Sequence, residues 1–210
     1  QTHGGQAEYV VVPAANLVPA PRARVPLDDA ALAAIPTVFM TAWQMLVERA
    51  AIQQGETVLV IAAGSGVGTA AIQIAKLWGA RVIATASTDA KLTAARALGA
   101  DETINHATAD IAAEVKKLTG RRGADIVSAY GLWGGQLMKA NVVAKVPDDI
   151  ATKIKAEYSP AALGAVTTGD TLLGYPTELN TYVLFYNKKI LAAAGITKPP
   201  TTWAELADDA

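Results

Sequence analysis

The chain has 210 residues, 51% hydrophobic and 18% charged, with 18 basic against 19 acidic side chains and a formal net charge of −1. That balance suits one large domain or two small ones around a buried core and excludes a disordered chain. It also leaves no basic surface for nucleic acid or an anionic membrane, and the lack of cysteine removes disulfides and thiolate metal sites.

Taken in chain order, residues 6–12 (QAEYVVV) are apolar and β-branched and predict a strand. Four prolines between Pro13 and Pro26 predict an extended connection. Asp28–Asp29 caps a helix through Ala34, which Ile35–Pro36 should interrupt. A second helix follows from Thr37 to Ala51, and Gln54–Gly55 ends it. No apolar run is expected to span a bilayer. The start, Gln1–Thr2–His3, lacks an initiator Met and a signal pattern, and reads as mature, trimmed or engineered.

The next stretch alternates. Strands are expected at 57–62, 81–85, 102–105 and 125–129, with helices at 69–78, 89–98 and 109–119, each followed closely by a glycine. Apolar strands alternating with helices of this length predict βαβ units and a parallel sheet covered on both faces. Beyond Gly131 a short helix is expected at 136–141 and another from Pro147 to Tyr158. A turn at Gly169–Asp170, a strand at 181–186, a helix at 188–194 and a last helix capped by Thr201 complete the chain.

The first strand runs into Ala63–Gly64–Ser65–Gly66–Val67–Gly68 and then a helix, the context that a dinucleotide-binding turn requires. Glycine admits the pyrophosphate close to the backbone, and the helix N-terminus offers free N–H groups. The literal G-x-G-x-x-G is absent, because Thr69 stands at its last position. A tight turn that binds nothing would look the same. About 20 residues further on, an NAD site usually has an acid for the ribose 2′-hydroxyl. Here Ala86–Ser87 falls there, with Lys91 on the following helix. A hydroxyl and a cation suit a 2′-phosphate, so NADP is the expected cofactor; a solvated helix face would also account for Lys91. His3 and His106 are the only histidines and predict no metal site; His106, at a strand end, is either near the adenine or a surface imidazole.

From Gly5 to about Val127 the sequence resembles the medium-chain dehydrogenase/reductase family, in its zinc-less, NADPH-using quinone oxidoreductase branch. The matching runs are GGQAEYVVVPAANLVPAP, AAIPTVFMTAWQML, GETVLVIAAGSGVGTAAIQIAKLWGARVIATAS, KLTAARALGADETINH and GADIV. The resemblance implies that Gly64, Ser65, Gly66, Val67 and Gly68 cradle the pyrophosphate. It also implies that Ser87 and Lys91 hold the 2′-phosphate and that Thr41 lies near the nicotinamide. Hydride transfer to a quinone or enone is the implied reaction, without a metal and without a named general acid, and whether this chain turns over stays open. Only the last strand and connection of the family's catalytic barrel are expected, in residues 1–26, ahead of a Rossmann segment at 27–127.

Residues 125–210 resemble an extracellular sugar-type solute-binding protein of ABC transporters. The resemblance rests on DIVSAYGLWGGQLMKANVVAKVPDDIATKIKAEY and LLGYPTELNTYVLFYNKKILAAAGITKPPTTWAEL. It implies a sugar cleft at Tyr130, Trp133, Glu178, Asn180 and Tyr182, residue types that would equally fill a core. The chain therefore reads as a hybrid joined between Gly123 and Tyr130. The fold class expected is α/β, a Rossmann-like parallel sheet with helices on both faces, continued by a periplasmic-binding-protein-type α/β segment at 128–210. The expected partner is a small molecule, a quinone, enone or sugar, with no nucleic acid and no membrane. A cytoplasmic location and, as one form of association, a homodimer complete the expectations. Gly66→Asp should abolish nucleotide binding and spare sugar binding.

Overall fold

The computed structural model describes residues 8–19, 27–129, 134–139, 143, 145–176 and 186–208. They fall in two compact units, Gln1–Thr177 and Glu178–Ala210.

The first unit is built on a four-stranded sheet. Its strands are β1 (Thr57–Val60), β2 (Arg81–Ala86), β3 (Glu102–Asn105) and β4 (Ile126–Ser128), in the order β3-β2-β1-β4. Every pairing is parallel. The uniformly apolar strands are covered on both faces, as their composition requires. Val58, Val60, Val82 and Ala84 face one core, which includes residues of α1 (Asp29–Trp43) and α2 (Gly66–Leu77). Leu59, Ile83 and Ile104 face the other, with Val115 and Leu118 of α4 (Ile111–Leu118). Val58, Leu59 and Val60 are fully buried, each worth about 2 kcal/mol of apolar burial. Between β2 and β3 runs α3 (Asp89–Ala97). Gly79 and Gly99, at φ +73° and +109°, stop α2 and α3 where a side chain would be strained.

Three expectations are corrected here. Of the strand expected at 6–12, residues 8–12 pair with no strand among the described residues, and a short 3-10 turn, Ala14–Asn16, follows. Apolar alternation needs a ladder partner, and without one Tyr9 and Val11 stand 89% and 85% exposed. Pro36 does not divide the helix: α1 runs through it, capped by the Asp28 carboxylate on the Ala31 N–H at 2.7 Å. The proline removes one backbone donor, but Val38, Ala42 and Leu46 hold the helix on the Rossmann core. The helix then widens at Gln44–Arg49 to a π stretch, in which the Ala50 N–H reaches the Met45 carbonyl at 3.0 Å. The uninterrupted Asp29–Arg49 helix, with mean hydropathy 1.6, is therefore long and apolar enough to cross a membrane, against the expectation from sequence. The core helix of a soluble protein meets the same criterion, and Ala42 and Leu46 are buried.

After β4 the same unit continues with α5 (Gly134–Lys139), α6 (Asp148–Glu157) and α7 (Pro160–Gly164), the last unexpected from sequence. The turn at Gly169–Asp170 joins β5 (Thr167–Thr168) and β6 (Thr171–Leu172), an antiparallel pair. Ala151, Ile154 and Leu172 form a small core of their own.

The second unit holds α8 (Lys188–Ala193), capped by Asn187, and α9 (Trp203–Asp208). Its cap is corrected by one residue. The Thr202 hydroxyl accepts from the Glu205 N–H at 3.1 Å, and the Glu205 carboxylate accepts from the N–H groups of Thr201 and Thr202, a capping box. The strand expected at 181–186 lies outside the described residues, save Tyr186, which is exposed.

Candidate functional site

The turn after β1 is shaped by its backbone. Ala62 takes φ +58°, and its carbonyl accepts the Ser65 N–H at 2.9 Å. Ser65 is the N-cap of α2, its hydroxyl accepting the Gly68 N–H at 3.0 Å. The helix therefore begins at Gly66, three residues earlier than its apolar pattern indicates. The remaining first-turn N–H groups of any helix have no intrahelical acceptor and, with the dipole, favour an anion.

The three glycines are there for different reasons. A Cβ on Gly68 would fall on the Ala62 carbonyl oxygen and lie 2.9 Å from Ala63 Cα, so only glycine lets α2 sit this close to the end of β1. A Cβ on Gly64 would lie 2.9 Å from Lys91 Cδ and 3.1 Å from Lys91 Cγ. The Lys91 stem thus lies beside Gly64, on a residue that is exposed. A Cβ on Gly66 would lie 2.7 Å from Val38 Cγ1 of α1. Nothing in the turn's sequence signals Val38, because the contact is made across two helices. It also spoils Gly66→Asp as a clean test, since the new side chain would strike α1 whether or not a nucleotide binds there.

Gly64, Ser65 and Gly66 are exposed, and Val67 is half-buried on the first turn of α2. Ser87 is exposed just past β2, on the side of the sheet edge where α3 begins. No acid occupies 86–88, and the nearest carboxylate, Asp89, accepts from the Asn105 amide at 3.0 Å. His106 is exposed, with Nδ1 3.4 Å from the buried Thr85 hydroxyl. Thr41 is half-buried on α1, one turn from Val38, and borders an open groove of about 720 Å³ with Pro36, Thr37, Phe39, Met40 and Trp43. The structure thus brings the turn, Lys91 and α1 together through Gly64–Lys91 and Gly66–Val38. The five sugar-site candidates, Tyr130, Trp133, Glu178, Asn180 and Tyr182, lie outside the described residues.

A parallel sheet in the order β3-β2-β1-β4 with a glycine turn after β1 is a dinucleotide-fold arrangement, and residues 66–131 match the family model described as zinc-binding dehydrogenase. Over its N-terminal part the chain is similar to medium-chain dehydrogenases/reductases. A 2-haloacrylate reductase of a Burkholderia species is 37% identical over 124 residues, and the human quinone oxidoreductase 36% over 124. In each case the match covers 59% of this chain and 37% of the relative, so the chain spans little more than a third of the relatives' length. A crystal structure of an NAD-dependent alcohol dehydrogenase superposes with a TM-score of 0.60 at 54% identity, covering 66% of this chain and 40% of that one. Among the described residues no three His, Cys, Asp or Glu side chains gather as metal ligands, so the zinc of the family's description does not fit them.

Residues 109–210 match bacterial extracellular solute-binding proteins. The two matches overlap at 109–131, and the overlap contains β4. The two matches therefore share one strand, and that strand pairs with β1 through Val58–Ile126, Leu59–Val127 and Val60–Ser128. Asp125 ties the junction down: its carboxylate accepts the Thr57 N–H at 2.7 Å and its own N–H reaches the Thr57 carbonyl at 2.9 Å.

Proposed function

We propose that the chain binds NADP(H) at the α2 turn and serves as the nucleotide-binding part of a quinone reductase-type oxidoreductase that passes hydride to a quinone or enone. One observation carries the cofactor choice. Lys91 lies over Gly64 beside the capped start of α2, while positions 86–88 offer Ser87 and no acid, the next carboxylate being Asp89 with one oxygen on the Asn105 amide. A 2′-phosphate needs a cation and a hydroxyl there; a 2′-hydroxyl needs an acid.

The bound nicotinamide would supply the hydride. The chain's part is to hold it: the first-turn N–H groups of α2 take the pyrophosphate, Lys91 and Ser87 take the 2′-phosphate, and Thr41 stands on the nicotinamide side. Such a site works by positioning. Binding ranks ahead of turnover in this proposal, because the capped α2 turn carries the reading and no catalytic residue is assigned.

Titration with NADPH and NADH, followed by nicotinamide fluorescence, tests it. Saturable binding, about tenfold tighter for NADPH, is expected from one charge-assisted contact. Lys91→Met should remove that preference. Tighter binding of NADH would overturn the NADP assignment and align the site with the NAD-dependent neighbour. No binding of either would overturn the site. The solute-binding match over 109–210 supports carbohydrate binding as a second reading, tested by calorimetry with a panel of mono- and disaccharides.

A further inference from the structure

A second cavity, of about 680 Å³, opens within the first unit where its two halves meet. One wall is the π stretch with Ala50 and Ala51, together with β4; the other comes from α5, α6 and the chain around β5 and β6. Residues 45–51 precede both matched stretches, so neither match covers both walls. The lining is mainly apolar, through Leu46, Leu137, Ile150, Ile154, Val166 and Leu173.

Its charged members are Arg49, Lys145, Lys153 and Asp125. Asp125 is already engaged by the Thr57 N–H, and Lys145 is paired with exposed Asp148 at 2.7 Å. Lys153 is exposed. Arg49 differs. Its Nη1 reaches Glu157 only at 3.7 Å, and its Nε is buried without a hydrogen-bond partner. The guanidinium lies 5.4 Å from the centre of the Tyr158 ring, and the Tyr158 hydroxyl is likewise buried without a partner. Burial, opposed by Arg49, raises the phenol above its ordinary value, so it stays a donor at neutral pH. Of these two buried donor atoms, the Arg49 nitrogen belongs to a residue that lines the cleft, and a buried donor left without an acceptor is costly.

We propose that this cleft binds a medium-chain monocarboxylate, with its chain on the apolar walls and its carboxylate on the Arg49 guanidinium. The site is separate from the α2 turn and stands whether or not NADP binds there.

The test is calorimetry of the full chain with decanoate and, as the neutral counterpart, 1-decanol. Decanoate should bind at one saturable site about tenfold tighter than decanol, the effect of one charge-assisted pair. Arg49→Met should cut decanoate binding by that factor and leave decanol unchanged. Leu137→Trp, which fills the cleft without touching the guanidinium, should weaken both, with circular dichroism reporting the fold. Saturating NADPH should not compete. Absent or unsaturable decanoate binding, equal affinity for decanol, an unaffected Arg49→Met variant or displacement by NADPH would each overturn the proposal.

Discussion

At Gly64 and Gly68, two glycines four residues apart do different work, and substitution separates them. Gly68→Ala drives a methyl into the Ala62 carbonyl and the Ala63 backbone. Backbone cannot rotate away as a side chain can, so the variant should lose about 1–3 kcal/mol, read from denaturant midpoints. Gly64→Ala meets only the Lys91 stem. Stability should change little, but Lys91 must move, and the NADPH-over-NADH preference should fall severalfold in the fluorescence titration while NADH binding holds. An unaltered preference would mean that the ammonium reaches the phosphate from another rotamer. The need for glycine at these positions was legible in the sequence. Which neighbour each glycine accommodates was not, because Lys91 and Val38 reach the turn from other helices.

At the scale of elements, α1 carries a proline in its exposed interior. Pro36→Ala restores an N–H for the Leu32 carbonyl and should stabilise the protein by about 1–3 kcal/mol, seen as a rise in Tm of several degrees. A second link joins α2 to the sheet. Lys76 donates to both oxygens of Asp101 at 2.9 and 2.8 Å, and the Val82 N–H donates to one of them at 2.7 Å. Burial pushes the Asp101 carboxyl up, but the Lys76 ammonium and the Val82 N–H outweigh it and hold it below 3.8. A depressed folded value means that the stabilisation is complete above the unfolded value and is lost as pH falls through the folded one. The stability gap between the protein and Asp101→Asn should therefore be constant well above pH 3.8 and close in acid below it, as denaturation at a series of pH values would show. The helix and strand segments of 57–128 follow the apolar periods closely. The failures, the strand at 8–12 and the break at Pro36, come where a partner or its lack overrides local preference.

For the whole molecule, the sheet, the α2 turn and the junction cleft all lie in the unit Gln1–Thr177. A chain ending at Thr177 should therefore keep its far-UV circular dichroism per residue and its NADPH affinity. Loss of either would show that the second unit supports the first. Both matches include one strand of this sheet, and a parallel strand after a helix can be shared without reversing chain direction. Asp125–Ser128 is that strand, held on β1 by backbone pairing and by the Asp125 carboxylate.

Sequence alone determined the parallel α/β pattern of 57–128, the glycine turn and the absence of an acid at 86–88. Each rests on local chemistry: side-chain period, φ preference, residue type at a fixed spacing. Only the tertiary structure decided that α1 runs through Pro36, that α2 begins at Gly66, that Lys91 lies on Gly64 and that Arg49, half-buried against the Tyr158 ring, lines an apolar cleft. Those outcomes depend on which distant surfaces meet, and burial between elements outweighs the fraction of a kcal/mol that intrinsic propensity contributes at a single position.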